Sequence, residues 1–308
     1  MSFDCIVIAK WVPDTANITG DAMKEDGTVN RAALPAIFNP EDLNALEMAL
    51  EVVEEHGGTV TVVTMGLPQA AELLRQSLYR GADRGILLTD RRFARADTLA
   101  TSYTLAQAIK AIGKADLILC GRQAIDGDTA QVGPQTAEKL AMPQITYVDK
   151  IESLEKGKIV ARRSIGRGYE LLEAKLPCLL TVVGTANEPR PPRAKRLMKF
   201  KTAKAPSEVI GDVRTEMSQG GKKIDDEALK TSADKRIAEL TRRDILIDEW
   251  KAEDIRAEMA RIGGDGSPTK VKDIEFVVIQ ATETKMVEST DEGLGEMLRE
   301  LVADHTLG

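Results

Sequence analysis

Apolar positions in the first half of the chain follow two alternating patterns. Short runs rich in β-branched and aliphatic residues, at Cys5–Ala9, Thr59–Thr64, Gly85–Leu88 and Asp116–Cys120, have the length and continuity of strands buried on both faces. Between them apolar residues recur at helical spacing: Leu43, Leu46, Leu50 and Val53, then Leu67, Ala70, Leu74 and Leu78, then Leu99, Tyr103, Ala106 and Ile109. Strands that alternate with helices pair in parallel and need a helix to cross back each time. Such crossovers are right-handed, so the pattern predicts an α/β fold with a doubly wound, mostly parallel sheet.

The texture changes from Gln144 to Val183. Ile145–Val148, Ile159–Ile165, Tyr169–Ala174 and Cys178–Val183 read as strands joined by short turns such as Lys156-Gly157-Lys158, which predicts hairpin additions to the sheet. After Gly184 strand patterning stops. Pro189, Pro191 and Pro192 exclude a helix through that stretch, and Arg190, Arg193, Lys195 and Arg196 crowd it with positive charge. It reads either as a solvated linker or as an extended arm lying on another chain. Residues 202–244 are strongly polar, with Ser218-Gln219-Gly220-Gly221-Lys222-Lys223 as a break. A thin stripe of Leu229, Ala233, Ile237 and Leu240 follows and needs something to bury against. A strand-like run at Ile274–Gln280 precedes an amphipathic helix bearing Leu294, Met297, Leu298, Leu301 and Val302.

Composition narrows the function. Apolar residues make up 43% and charged residues 30%, but aromatics only 4%, so aliphatic packing must carry the core. A net charge of −7 argues against a general nucleic-acid binder. No run approaches the ~18 apolar residues that span a bilayer. The start, MSFDCIVIAK, has no basic leader or cleavage pattern and reads as the first strand of a mature protein, with the cytoplasm as the simplest address. Cys5, Cys120 and Cys178 lie far apart in apolar runs, as small buried hydrophobes rather than a disulfide framework or metal site. His56 and His305 have no neighbouring nucleophile or acid motif. The weight shifts to a protein whose chemistry belongs to a bound cofactor.

Open α/β sheets bind ligands beyond the carboxyl ends of their strands. Ala9-Lys10-Trp11-Val12-Pro13 follows the first strand, and Met65-Gly66 follows the second, where glycine permits close backbone approach. Asn39-Pro40-Glu41-Asp42 precedes the first long helix: an N-cap residue, a proline suited to the next position, and acids for the first turn. Helix initiation alone would explain that segment. The most informative run is Cys120-Gly121-Arg122-Gln123-Ala124-Ile125-Asp126-Gly127-Asp128-Thr129-Ala130-Gln131-Val132-Gly133. It leaves a strand, turns through two glycines and enters a helix that Asp128 would cap, unless Pro134 shifts the start later. Amides from Thr129 to Val132 would then face a phosphate or pyrophosphate. Arg122 would add a cation, and Gln123 or Gln131 would bond an adenine or flavin edge. Neither a Walker lysine pair nor a G-x-G-x-x-G run is present.

Lys10-x-Val-Pro-Asp14, Asn39-Pro40, Gly81-Ala-Asp-Arg-Gly85, Gly121-Arg-Gln-Ala-Ile-Asp-Gly-Asp-Thr129, Leu176-Pro177 and Asn187-Glu-Pro-Arg190 occur in this order. Together they resemble the beta subunit of electron-transfer flavoproteins over about Ser2–Lys201, with Gly266-Ser-Pro-Thr269 as a further echo. The resemblance implies an adenine-nucleotide-binding, Rossmann-like domain over residues 1–184. It implies a C-terminal arm over 185–308 that wraps an alpha subunit holding its own FAD. The nucleotide contacts it implies are Ile8, Ala9, Asn39, Pro40, Asp42, Met65 and the run Gly121–Val132. This site takes AMP in ordinary members and a second FAD in electron-bifurcating ones. Asp126-Gly-Asp-Thr-Ala-Gln-Val-Gly-Pro134 and Ala96-Asp-Thr-Leu-Ala-Thr-Ser-Tyr103 resemble the bifurcating branch, which favours FAD and puts Asp97 and Thr98 near the flavin or NADH. NADH is then the implied donor, with an acyl-CoA dehydrogenase or quinone-linked oxidoreductase and ferredoxin as redox partners.

Three departures stand out. The run Arg163-Ser-Ile-Gly166-Arg167-Gly168-Tyr-Glu170 lacks the acid and Gly-Gly pair usual after the hairpin arginine. Ala194 stands where many members place a leucine anchor for the dehydrogenase, between Arg193 and Lys195. Residues 202–244 read as an insertion, expected to pack on a partner. A stand-alone nucleotide-binding module is the alternative reading. An ordinary nicotinamide-dependent dehydrogenase fits less well, for want of the glycine fingerprint and a proton donor.

Overall fold

A computed structural model describes residues 2–14, 35–218, 225–270 and 285–303. The Ile274–Gln280 run, His305 and most of the Ser218–Lys223 break lie outside the described residues. In chain order the elements are β1 (Phe3–Ile8), β2 (Trp11–Pro13), β3 (Ala36–Phe38), α1 (Pro40–His56), β4 (Gly58–Met65), α2 (Ala71–Arg80), β5 (Arg84–Leu88), α3 (Thr98–Ile112) and β6 (Leu117–Gly121). Then come α4 (Val132–Leu140), β7 (Gln144–Glu155), β8 (Lys158–Ser164), β9 (Tyr169–Lys175), β10 (Cys178–Val182), α5 (Ala194–Phe200), α6 (Pro206–Ser218), α7 (Asp226–Arg242), β11 (Asp248–Trp250) and α8 (Asp291–Ala303).

Among the described residues nine strands form one sheet in the order β11-β5-β4-β1-β6-β10-β7-β8-β9, and β2 and β3 form a separate ribbon. From β11 to β7 every neighbouring pair is parallel; β8 and β9 are antiparallel additions. Successive residues of a strand point to opposite faces, and here both faces are covered. Cys5 and Val7 of β1 join one core with Ala45 and Leu46 of α1 and Leu73 and Leu74 of α2. Ile6 and Ile8 join the other with Tyr103 and Leu105 of α3 and Ala137 of α4. That is why these strands read as unbroken apolar runs, and the arrangement is the doubly wound sheet that the patterning predicts.

Two features differ from the sequence expectation. Cys178–Val182 is not a hairpin addition: β10 inserts in parallel between β6 and β7. All five of its residues are buried, the condition of an interior strand. After Gly184 the chain runs along α1 without regular structure. There Arg190 Nη2 meets Glu47 Oε1 at 2.8 Å, both side chains being largely buried, and the amides of Asn44 and Asn187 exchange hydrogen bonds with each other's backbone carbonyls. Helix α5 begins at Ala194, just past the last of the three prolines.

Residues 202–244, read from the sequence as an insertion, make contacts within their own chain. Helices α6 and α7 form a hairpin around Val209, Val213, Leu229 and Ala233. Arg75 on α2 pins it, donating to Glu208 Oε2 at 2.9 Å and Oε1 at 3.1 Å, to Ala203 O at 3.1 Å, and to Glu72 at 2.7 Å. The chain then returns to the sheet as β11. A strap from Lys251 to Thr269 crosses α3 and buries Ala252, Ile255, Ala257 and Ile262 in the second core. Helix α8 has no buried residue, and Leu298 and Val302 are about half exposed. Among the described residues no helix is long and apolar enough to cross a membrane.

Replacing Glu208 with Ala strips Arg75 of its bidentate partner in a largely buried setting. Urea unfolding should show a loss of about 2 kcal/mol, below the full cost of breaking a wholly buried pair. Unchanged stability would mean that the hairpin is held by its apolar contacts alone.

Candidate functional site

The carboxyl ends of β1, β4 and β6 open on one cleft, closed on its far side by α3 and the start of α4. It is lined by Ile8, Ala9, Lys10, Asp42, Met65, Thr101, Leu105, Cys120 and the loop from Gly121 to Gly133 apart from Ile125. Of the residues singled out in the sequence, Ile8, Ala9, Asp42, Met65, Gly121, Arg122, Gln123, Ala124, Asp126, Gly127, Asp128, Thr129, Ala130, Gln131 and Val132 lie around this cleft. Asn39, Pro40, Ile125, Asp97 and Thr98 do not line it. Lys10, Thr101, Leu105, Cys120 and Gly133 line it without having been assigned to it.

The start of α1 organises the cleft. Asn39 occupies the N-cap position and Pro40 the first turn, yet the Asn39 side chain caps nothing. It is fully buried; its amide donates to Gln123 O at 2.9 Å, and its oxygen accepts from Ile125 N at 3.1 Å. The two acids of the first turn also reach outward. Glu41 Oε2 accepts from Gln123 N at 3.0 Å, and its other oxygen lies 3.1 Å from Arg122 Nη2. Asp42 accepts from Lys10 N at 2.9 Å and from Gly121 N at 2.7 Å, bridging the ends of β1 and β6. Only glycine suits position 121: a Cβ there would stand 2.6 Å from Asp42 Oδ1 and 2.8 Å from Asp42 N.

Burial, the larger influence, pushes the Asp42 carboxyl up to about 7, against hydrogen bonds from Lys10, Gly121 and Asn39 that favour the charged form. Burial likewise pushes the Cys120 thiol upward, so it meets the cleft as an inert apolar group.

Beyond Gly121 the loop takes an unusual course. Asp128 and Ala130 have φ of +50° and +51°, a conformation that costs L-residues about 1–2 kcal/mol each. Ala130 is followed by Gln131 in the right-handed region, and such an alternation of hand turns successive N–H groups into a concavity for anions. Among the described residues the amides of Thr129, Ala130 and Gln131 have no protein acceptor. Asp128 does not cap the helix; its carboxylate accepts from Gln123 Nε2 at 3.0 Å, and α4 begins at Val132 behind Gln131. Pro134 thus falls in the first turn, where no N–H is needed. The nearby cations are engaged, Lys10 with Asp126 at 2.6 Å and Arg122 with Glu41. An anion here would be met chiefly by backbone amides.

Asp97 sits at the N-cap of α3. Burial raises its pKa, but amide hydrogen bonds from Ala100, Thr269 and Leu99 outweigh that and hold the carboxyl below its ordinary value. Thr98 Oγ1 lies 3.0 Å from Gln131 Oε1, behind the loop. No cluster of metal-ligating side chains occurs among the described residues.

Replacing Asp42 with Asn puts an amide donor against one of two N–H groups, which should cost about 1–3 kcal/mol. Because the native pKa lies above that of the unfolded chain, the folded protein holds an extra proton between roughly pH 4 and 7. The contribution of Asp42 is complete below that window and fades as pH rises through it. The stability gap between wild type and D42N, followed by urea unfolding, should therefore narrow from pH 5 to pH 8; a gap that widens would contradict the assignment.

Residues 26–208 match the electron transfer flavoprotein domain model. The chain is 38% identical to the electron transfer flavoprotein subunit beta of Clostridium acetobutylicum over 298 residues, covering 97% of this chain and 94% of that protein. It is 53% identical to the caffeyl-CoA reductase-Etf complex subunit CarD of Acetobacterium woodii over 186 residues, 60% of this chain and 70% of that one. It is also 39% identical to protein FixA of Bradyrhizobium diazoefficiens over 294 residues, 93% of this chain and 87% of that one.

Proposed function

The chain belongs to the electron transfer flavoprotein family, and from that premise we propose that it is the beta subunit of a heterodimeric electron carrier whose cleft holds the adenine-nucleotide part of an FAD. The observation that carries the reading is the loop before α4, with the unclaimed amides of Thr129, Ala130 and Gln131 at the mouth of the cleft. They fit a pyrophosphate. Ile8, Met65 and Leu105 give an apolar wall suited to a ring system and keep water from it. Thr101, Gln123 and Gln131 supply polar atoms for ring edges. A bound flavin supplies the redox chemistry, accepting and passing on electrons. The chain's own part is to bind, to orient, and to set the local charge, with Lys10 and Arg122 already neutralised by their acids.

NADH or an acyl-CoA dehydrogenase donates, an alpha subunit carries a further FAD, and the acceptors are a quinone-linked oxidoreductase and, in the electron-bifurcating form, ferredoxin. CarD, named for a caffeyl-CoA reductase-Etf complex, supports the association with such reductases. The alpha subunit would cover Ile165, Tyr169 and Leu171 on the β8–β9 hairpin and Leu294, Leu298 and Val302 on α8, all of them substantially exposed. In this reading the wrapping arm lies within residues 185–308. We place the complex in the cytoplasm, with Cys5, Cys120 and Cys178 as free buried thiols. AMP in the same amide cradle is the alternative, and it would leave the alpha flavin to work alone.

The test is to purify the complex, release its nucleotides and count them. Two FAD per heterodimer are expected, whereas one FAD and one AMP would select the alternative. A colourless monomer carrying neither would overturn the proposal. Gly121→Ala drives a methyl group into Asp42 and should lower nucleotide retention about tenfold, a typical overpacking penalty.

A further inference from the structure

We propose that Asp97 and Ser267 are positioning residues for the nucleotide cleft: the strap after β11 fixes the first turn of α3, and through Thr98 the phosphate-binding loop. The inference rests on the nucleotide reading of that cleft. Neither residue lines the cleft. Ser267 is 3% exposed, accepts the Asp97 amide at 2.8 Å and donates its hydroxyl to Gly263 O at 2.7 Å. The Asp97 carboxylate divides its work. One oxygen caps α3 by accepting from Ala100 N at 3.0 Å, and the other accepts from Thr269 N, in the strap, at 3.1 Å. A cap alone would need only the first of these bonds.

The strap is tightly seated. Gly264 N donates to Ala94 O at 2.9 Å, and Gly263 has φ +54° with so little room that a Cβ would stand 1.9 Å from Arg92 O. Tyr103 accepts from Glu258 N at 3.1 Å, and the Arg261 guanidinium lies 4.0 Å from the centre of the Tyr103 ring. On its opposite side α3 faces the cleft with Thr101 and Leu105. Thr98 bonds Gln131 at 3.0 Å, and Ser102 Oγ lies 3.2 Å from Gln135 Oε1 on α4. The helix therefore stands as a rigid rod between strap and loop. Gln131 carries one of the uncommitted amides, so a shift of the α3 terminus moves an amide that the nucleotide needs. Through this rod, residues more than a hundred positions downstream of the loop set its shape.

The experiment uses the full chain freed of nucleotide, with AMP and FAD as probes. Ser267→Ala removes the central hydroxyl; Asp97→Asn keeps the capping oxygen and turns an amide group towards Thr269 N–H. Val213→Ala, in the α6–α7 hairpin, serves as a control of lowered stability remote from the cleft. Both strap variants should weaken AMP and FAD binding by about five- to tenfold, the scale of one lost buried hydrogen bond. They should also speed hydrogen exchange at residues 98–101 and 127–132. V213A should lower the unfolding temperature and leave affinity unchanged. Unaltered affinity in S267A, an equal loss in V213A, or faster exchange confined to residues 263–270 would each overturn the coupling. Should wild type bind neither AMP nor FAD, the nucleotide reading fails, and exchange at residues 127–132 still decides whether the strap controls the loop.

Discussion

One buried carboxylate ties the site to the fold. Asp42 stands at the start of α1 and accepts amides from the ends of two strands, β1 and β6, that the chain separates by more than a hundred residues. Burying it is costly, and only its two hydrogen bonds and that of Asn39 offset the cost. In return, two loops that would otherwise diverge leave the sheet at a fixed spacing. The close approach at Gly121, the seat of Gln123 and Ile125 on Asn39 and Glu41, and the course of the loop towards α4 all follow from that anchor.

Strand–helix alternation was readable because strands buried on both faces must be apolar, and Cys5–Ala9 and Leu117–Cys120 satisfy this without ambiguity. The position of β10 was not readable. A five-residue apolar run after a hairpin looks the same whether it extends the hairpin or inserts in the sheet interior; only long-range pairing with β6 distinguishes them. Helix α6 escaped because Val209 and Val213 are its only buried positions, too few to make a stripe in a polar segment. Helix α5 was masked by the prolines immediately before it.

The residues that gather around the cleft were legible in the sequence more than the contacts they make. Asn39, Glu41 and Asp42 carry every mark of a helix start, and they do start a helix, but their side chains serve a loop some eighty positions later. A short polar side chain bonds whichever amide the tertiary fold presents, and local sequence does not say which. Lys10 belongs to the Lys10-x-Val-Pro-Asp14 motif, yet its bond to Asp126 depends on two loops meeting. Thr101 and Leu105 lie beside the apolar stripe of α3, on the flank that turns to the cleft, where periodicity carries no signal. The strained φ angles at Asp128 and Ala130 likewise have no counterpart in composition.

The nine-stranded sheet ends on each side in a way that governs how another molecule can touch it. At one margin β11 offers only three residues. At the other, β9 carries Glu170, Glu173 and Lys175 among its apolar side chains, charges that discourage backbone-to-backbone zipping by a foreign strand. A neighbouring polypeptide therefore has little to gain by lengthening the ladder. It must grip side chains instead, which makes the association specific in shape and guards the free chain against sheet-mediated clumping while it waits for a mate.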